Sequence, residues 1–217
     1  SSPLAPLPIQ YADYAQWQRR WLQGAVLEEQ VSYWREQLTG LPPLLNLPTD
    51  RPRPTEQTFR GSTEHVGLPL VLSVRLQALS REQGVTLYMT LLSAFAVLLG
   101  RYADQQDVAV GTPIANRTRR ETEGLIGFFV NMLVMRHDLS GDPRFVEVLK
   151  RTRETALQAY AHQDIPFEQL VEQLNPHRRL SHTPLFQVMF ILQNAPLEGL
   201  ELPGFEVQPL LNSKAEE

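Results

Sequence analysis

The sequence contains no cysteine, which excludes disulfides, a thiol nucleophile and a thiolate metal site. It has no excess of positive charge: 20 lysines and arginines stand against 24 aspartates and glutamates, a net charge of −4. A nucleic-acid partner is not expected, because such partners call for a basic stripe. No apolar run reaches the roughly 20 residues that a membrane-spanning helix needs. The longest, Val85 to Gly100, is interrupted by Thr86, Thr90 and Ser93 and reads as a buried helix, so no membrane partner is expected. Ser1 to Gln10 is rich in proline and lacks the basic start and apolar core of a signal peptide, and the absence of cysteine fits a cytoplasmic protein. Also missing are a G-x-S-x-G elbow, a phosphate-binding glycine loop, internal repeats and low-complexity tracts. The histidines His65, His137, His162, His177 and His182 are scattered, with no two adjacent. His162-Gln163-Asp164 has no second ligand pair to accompany it, so no metal site is expected.

What is present is 217 residues with 42% hydrophobic and 20% charged content, enough for one sizeable core of ordinary globular composition. Residues 1–10 read as a proline-rich linker. Tyr11, Tyr14, Ala15, Trp21 and Leu22 fall at helical spacing, and after Gly24 a second helix carries Val31, Trp34 and Leu38 on one face. Gly40-Leu41-Pro42-Pro43 stops it, and Leu41 to Gly61 is a long irregular crossing with five prolines. A short strand over 62–68 would carry His65. Leu72, Leu76 and Leu79 mark a helix closed by Gly84, and Thr86 caps a helix from Leu87 to Leu99 that is apolar nearly all round and hence central. Val108 to Val110 reads as a buried strand, and Asn116 to Glu123 as a polar, solvated loop. Asp142-Pro143 has the form of a sharp helix start, with Phe145, Leu149, Thr152, Ala156 and Ala159 on one face to about Ala161. Asp164 is placed to cap a further helix through Phe167, Leu170, Val171 and Leu174. Leu185 to Leu192 reads as an interior strand, and the tail after Asn194 as frayed. Strands alternating with helices predict an α/β fold, a mixed sheet covered by helices.

The chain is organised around Gly124 to Arg136. Two glycines permit a turn or a close approach, Phe128 and Phe129 can each bury a large area, and Met132 to Met135 leave as a buried strand that Arg136 closes. Asn131 stands where turn meets strand, so its amide either caps backbone or faces a cavity. Taken alone, the stretch could be a tight loop feeding any core strand.

Four segments in order resemble motifs of the condensation domains of nonribosomal peptide synthetases. Tyr11-Ala12-Asp13-Tyr14-Ala15-Gln16-Trp17 is similar to the "YxDFAxW" motif, and Ile126-Gly127-Phe128-Phe129-Val130-Asn131, with Arg136 beyond, to "IGxFVNT…R". His162-Gln163-Asp164-Ile165-Pro166-Phe167-Glu168 is similar to "HQDxPFE". Arg178-Arg179-Leu180-Ser181-His182-Thr183-Pro184-Leu185-Phe186 is similar to "RDxSxNPLF", with Arg179 where the family has aspartate. Gly111-Thr112-Pro113-Ile114-Ala115-Asn116-Arg117 also has the family's look. The catalytic signature HHxxxDG does not occur here; in the family it lies N-terminal to the first of these motifs.

The resemblance implies a chloramphenicol acetyltransferase-like fold, with residues 11–217 as the C-terminal subdomain, its last elements and the N-terminal half absent. It implies amide formation between aminoacyl or peptidyl thioesters that two carrier proteins bring in on phosphopantetheine arms, with no cofactor bound directly. The implied partners are the N-terminal subdomain, donor and acceptor peptidyl carrier proteins, and an adjacent adenylation domain. Gly127, Phe128, Phe129, Asn131, Arg136, His162, Gln163 and Asp164 would then border the substrate tunnel, Asn131 taking a polar role near the thioester unless it caps the turn. The Asn116 to Glu123 loop would form wall and floor toward the partner subdomain. Either Arg117 or Arg136 would pair with the aspartate of the missing motif. Tyr11, Asp13, Trp17, Asn116, Arg117, Ser181 and Pro184 would be structural, and no catalytic residue lies in this chain. The alternatives are a stand-alone docking or recognition module for carrier proteins, an epimerisation or heterocyclisation relative, or another acyltransferase.

Overall fold

Helical periodicity in the sequence becomes helix almost wherever it is strong. The computed structural model describes residues 6–174 and 181–193. Within them lie α1 (Tyr11–Trp21), α2 (Gly24–Leu38), α3 (Leu70–Glu82), α4 (Leu87–Ala103), β1 (Asp107–Ile114), β2 (Asn131–Asp138), α5 (Phe145–Ala161) and α6 (Phe167–Leu174). The breaks follow local chemistry. Gly40 and Gly84 end their helices at φ +73° and +63°, a region that costs glycine little. Thr86 Oγ1 accepts the Met89 N–H at 3.1 Å and so caps α4.

β1 and β2 pair antiparallel, Val110 opposite Met135 and Ile114 opposite Asn131. The Val188–Phe190 segment lies parallel along the other edge of β1: Gly111 N–H donates to the Val188 carbonyl and Phe190 N–H to the Gly111 carbonyl, both at 2.9 Å. The sheet among the described residues is thus two antiparallel strands, with this segment joined to it by an isolated parallel bridge. α4 and α5 cover the face bearing Thr112 and His137, while α2 and α6 cover the face bearing Arg136 and Gly111. With both faces covered, Leu133, Val134 and Met135 are all fully buried. On the second face Trp34 is the largest buried side chain, its indole N–H donating to the His162 carbonyl at 2.8 Å. Removing a ring of that size from water is worth roughly 4–6 kcal/mol at most. On the first face a polar thread crosses the core. Ser93 Oγ lies 2.9 Å from Thr152 Oγ1, which lies 3.3 Å from His137 Nδ1. His137 Nε2 has no partner there, and burial lowers the imidazole pKa to about 4.

The structure corrects five local expectations. Residues 62–68, with His65, are exposed and form no strand among the described residues, since no neighbouring edge pairs with them. α5 does not start at Asp142-Pro143. Asp142 is left-handed at φ +49°, and the Arg144 N–H donates to Glu147 Oε2 at 2.7 Å, so the acceptor comes from inside the first turn. Leu185 to Leu192 is not an interior strand: a single bridge joins it to β1, and Met189 and Ile191 are about half exposed. α4 is central but not buried all round, because Leu98 and Tyr102 face outward. The Asn116–Glu123 loop is not simply solvated, since Thr122 within it is buried. Residues 1–5, the Arg178–Leu180 part of the fourth motif, His177 and the tail from Asn194 lie outside the described residues.

Candidate functional site: three motif segments at one end of the sheet

The first motif is a helix face. Asp13 Oδ2 accepts the Gln10 N–H at 2.8 Å and so closes the start of α1. Tyr11, Tyr14, Trp17 and Trp21 then follow at helical spacing and form a continuous row of rings, from Tyr11–Tyr14 at 6.1 Å between centroids to Trp17–Trp21 stacked at 5.1 Å.

That row lies against the second motif. Tyr11 meets Phe129 edge-on at 5.2 Å and Tyr14 approaches it at 4.8 Å. The Tyr11 hydroxyl donates to the Phe128 carbonyl at 2.9 Å. Gly127 is glycine because of this approach, since a Cβ there would stand 2.2 Å from Tyr11 Cδ2. Phe129 is buried as expected, but Phe128 is not an anchor: it is 75% exposed, and Ile126 is 95% exposed beside it. Ile126, Phe128 and Val130 are thus the exposed side chains of this loop, while Phe129 between them is buried.

Arginines seal the contact. Asn116 turns the chain at φ +51°, a conformation asparagine tolerates, and Arg117 then lies 4.2 Å over the Phe129 ring while donating to the Thr122 carbonyl. Arg119 lies 4.1 Å over the Trp17 ring. Sequence reasoning missed Arg119; its only signal was a second cation two residues beyond Arg117.

Asn131 joins the second motif to the third. Its Nδ2 donates to the carbonyls of Gln163 at 2.9 Å and Ile165 at 2.8 Å. Its Oδ1 accepts the N–H of Met132 at 2.9 Å and of Phe167 at 3.0 Å. Two donors and two lone pairs are all that an amide has, so the side chain is saturated by backbone. The geometry is that of the backbone cap, not of an amide free to meet a substrate. Phe167 opens α6, so Asn131 satisfies one of the helix's orphan N–H groups from 36 residues away. Asp164 therefore does not cap α6. Its own N–H donates to Gln30 Oε1 at 3.3 Å, and burial raises its carboxyl pKa while Arg119 pulls the other way. The sequence signal for Gln30 was an amide beside the apolar stripe of α2, a signal that Gln37 shares.

His162 ends α5. Its Nδ1 lies 2.8 Å from the Gln158 carbonyl, which can only accept, so that nitrogen carries the proton. The ring stacks on Tyr33 at 3.9 Å. Gln163 Nε2 donates to the Tyr160 carbonyl at 2.7 Å.

The remaining motif residues lie elsewhere. Arg136, at the far end of β2, makes a two-pronged pair with Asp107 at 2.9 and 2.7 Å and donates to the Gln37 and Thr39 carbonyls at 2.8 Å. The bond to Asp107 raises the guanidinium pKa further. Arg136 and Arg117 both have partners within this chain. Ser181 Oγ lies 2.9 Å from His182 Nδ1, and the Pro184 carbonyl accepts the Phe186 N–H at 2.9 Å. Phe186 packs against Gly111, where a Cβ would stand 2.3 Å from the ring.

Residues 1–215 match the model of the condensation domain family, and the chain belongs to that family. Its fold is the chloramphenicol acetyltransferase-like fold of condensation domains. A linear gramicidin synthase polypeptide of Brevibacillus parabrevis is 61% identical over 211 residues, 97% of this chain and 4% of the synthase polypeptide. Among solved structures, the X-domain in complex with OxyB from teicoplanin biosynthesis is 34% identical, with 86% of this chain and 42% of that one covered and a TM-score of 0.81. A four domain nonribosomal peptide synthetase, holo-AB3403 bound to AMP and glycine, is 29% identical over 76% of this chain and 13% of its own, with a TM-score of 0.74. The chain thus spans less than half the length of each of these relatives.

Proposed function

We propose that this chain is the C-terminal subdomain of a peptide-bond-forming condensation domain and supplies one wall of its substrate channel. The observation that carries the proposal is the convergence of the Tyr11–Trp17, Gly124–Asn131 and His162–Phe167 segments at one end of the sheet. From that end a fixed loop presents Ile126, Phe128 and Val130 outward. An apolar row held in place by packed rings is suited to a facing half-domain and to acyl chains passing between the halves.

In the reaction, the acceptor's amine attacks the carbonyl carbon of the donor thioester. The C–N bond forms, the C–S bond breaks, and the amine's proton goes to the departing thiolate. Carrier proteins deliver both thioesters on phosphopantetheine arms, which supplies the proximity. The histidine of HHxxxDG on the other half orients or deprotonates the amine and supports the tetrahedral oxyanion. This chain's residues hold the wall: Tyr11 and Phe129 fix the loop, and Asn131 ties it to the His162–Phe167 turn. Asp164 and Gln163 border it, and the adenylation domain that loads the acceptor belongs to the same assembly.

The test uses donor and acceptor aminoacyl thioesters on their carrier proteins. The 217-residue chain alone is expected to form no dipeptide above background, and adding a polypeptide with HHxxxDG is expected to restore turnover. Steady turnover by the chain alone would overturn the reading. The solved complex of a related X-domain with OxyB favours a second reading, a docking module; binding of a partner protein with no turnover in either arm would select it.

A further inference from the structure

α1 is attached to the body without burying any of its own residues. Its hold is the ring row, with Tyr14 on Phe129, Arg119 on Trp17, and Tyr11 on Gly127 and the Phe128 carbonyl. Such contacts are individually weak when half exposed, so the helix is held by a few separable contacts rather than by a core. The loop it covers depends on it in turn. Among the described residues, Tyr11 supplies the hydrogen bond that reaches the backbone between Ile126 and Val130. It does so across 117 residues of sequence, and the absence of a side chain at Gly127 is what lets its ring come down onto the loop.

We propose that α1 is a detachable clasp on the Gly124–Val130 loop and that Tyr11 is a positioning residue for condensation. With the clasp closed, Ile126, Phe128 and Val130 stand at fixed positions along the channel wall; with it open, the loop loses its backbone anchor and the wall its shape. This rests on the reading of that loop as a channel wall. Tyr11 acts through the loop and touches neither thioester.

The complete condensation domain tests it, with carrier-bound thioesters for turnover and brief trypsin treatment for the clasp. Arg19 and Arg20 stand exposed in the last turn of α1 and become cleavable when the helix lifts, whereas Arg151 and Arg153 on α5 serve as the internal reference. Tyr11→Phe keeps the ring and removes one hydrogen bond, so kcat/KM is expected to fall about fivefold. Gly127→Ala drives the ring off the loop and is expected to cost at least about tenfold. The two losses should not multiply: the double variant should match Gly127→Ala, because the hydroxyl has nothing left to anchor. Both single variants should speed cleavage after Arg19 and Arg20 and leave the melting temperature within about 2 °C. Losses that multiply, turnover unchanged despite faster cleavage, or lowered turnover with cleavage at the wild-type rate each overturn the proposal. A wild-type domain without turnover removes the channel reading, and with it the positioning role of Tyr11, while the cleavage rates still show whether α1 detaches.

Discussion

Replacing Asn131 with alanine separates a structural clamp from a catalytic amide. The substitution strips partners from four backbone groups at once: the carbonyls of Gln163 and Ile165, and the N–H groups of Met132 and Phe167. A buried polar group left without a partner costs about 1–3 kcal/mol. Asn131 is 7% exposed at the sheet's end, so water reaches some of the four and the full sum is not realised. A loss of about 3 kcal/mol is the expected outcome, a large share of the roughly 5–15 kcal/mol that stabilises a typical domain. Asn131→Asp keeps the two acceptor contacts but sets a carboxylate oxygen against two carbonyls. It should therefore destabilise at least as much at neutral pH. Urea midpoints of the complete domain give the magnitude, and amide exchange at Phe167 localises it to the start of α6. Turnover per folded molecule is the companion measurement, expected to fall by no more than the loosened turn explains. An Asn131→Ala domain with unchanged midpoint and condensation reduced tenfold or more would refute the clamp and return the amide to the reacting atoms.

Three further outcomes follow from the same geometry. His137 has its pKa lowered from 6.5 to about 4 by burial, so the folded state disfavours the proton that the unfolded chain accepts. Stability is therefore full above about pH 6.5 and is lost as pH falls toward 4; the pair of pKa values gives a loss of about 2 kcal/mol between pH 7.5 and 5, and His137→Leu should flatten that part of the urea-midpoint profile. Gly111→Ala should destabilise by about 1–3 kcal/mol because the Phe186 ring occupies the methyl's place, and Phe186→Leu in the same chain should recover part of the loss in thermal melts. The 217-residue chain alone should self-associate or bind a hydrophobic dye through Ile126, Phe128 and Val130, and Phe128→Ser should weaken it; a monomer that binds no dye would count against an open apolar face.

Most of the helices, both strands and the family itself were legible in the residues, because each rests on short-range order. The stripe Val31, Trp34, Leu38, the Thr86 cap and the apolar Met132–Met135 run depend on spacing within one element, and the motifs are contiguous strings. Asn131 was also visible as an amide that needed partners. Which partners it found was not, since three of the four come from 32 to 36 residues away and nothing in its own neighbourhood names them. The same limit explains the errors. Asp164 has the composition of a helix cap, yet Asn131 reached the first N–H of α6; Leu185 to Leu192 has the composition of an interior strand, yet a single bridge joins it to β1 and Met189 and Ile191 are about half exposed. Phe128 and Phe129 are chemically identical neighbours, and only the placement of α1 against one of them decides that one is core and the other surface. Local chemistry determined the elements and the family here; the roles of Tyr11, Gly127 and Asn131 were decided by tertiary structure, because a hydrogen bond or a ring contact is specified by what folding brings to it.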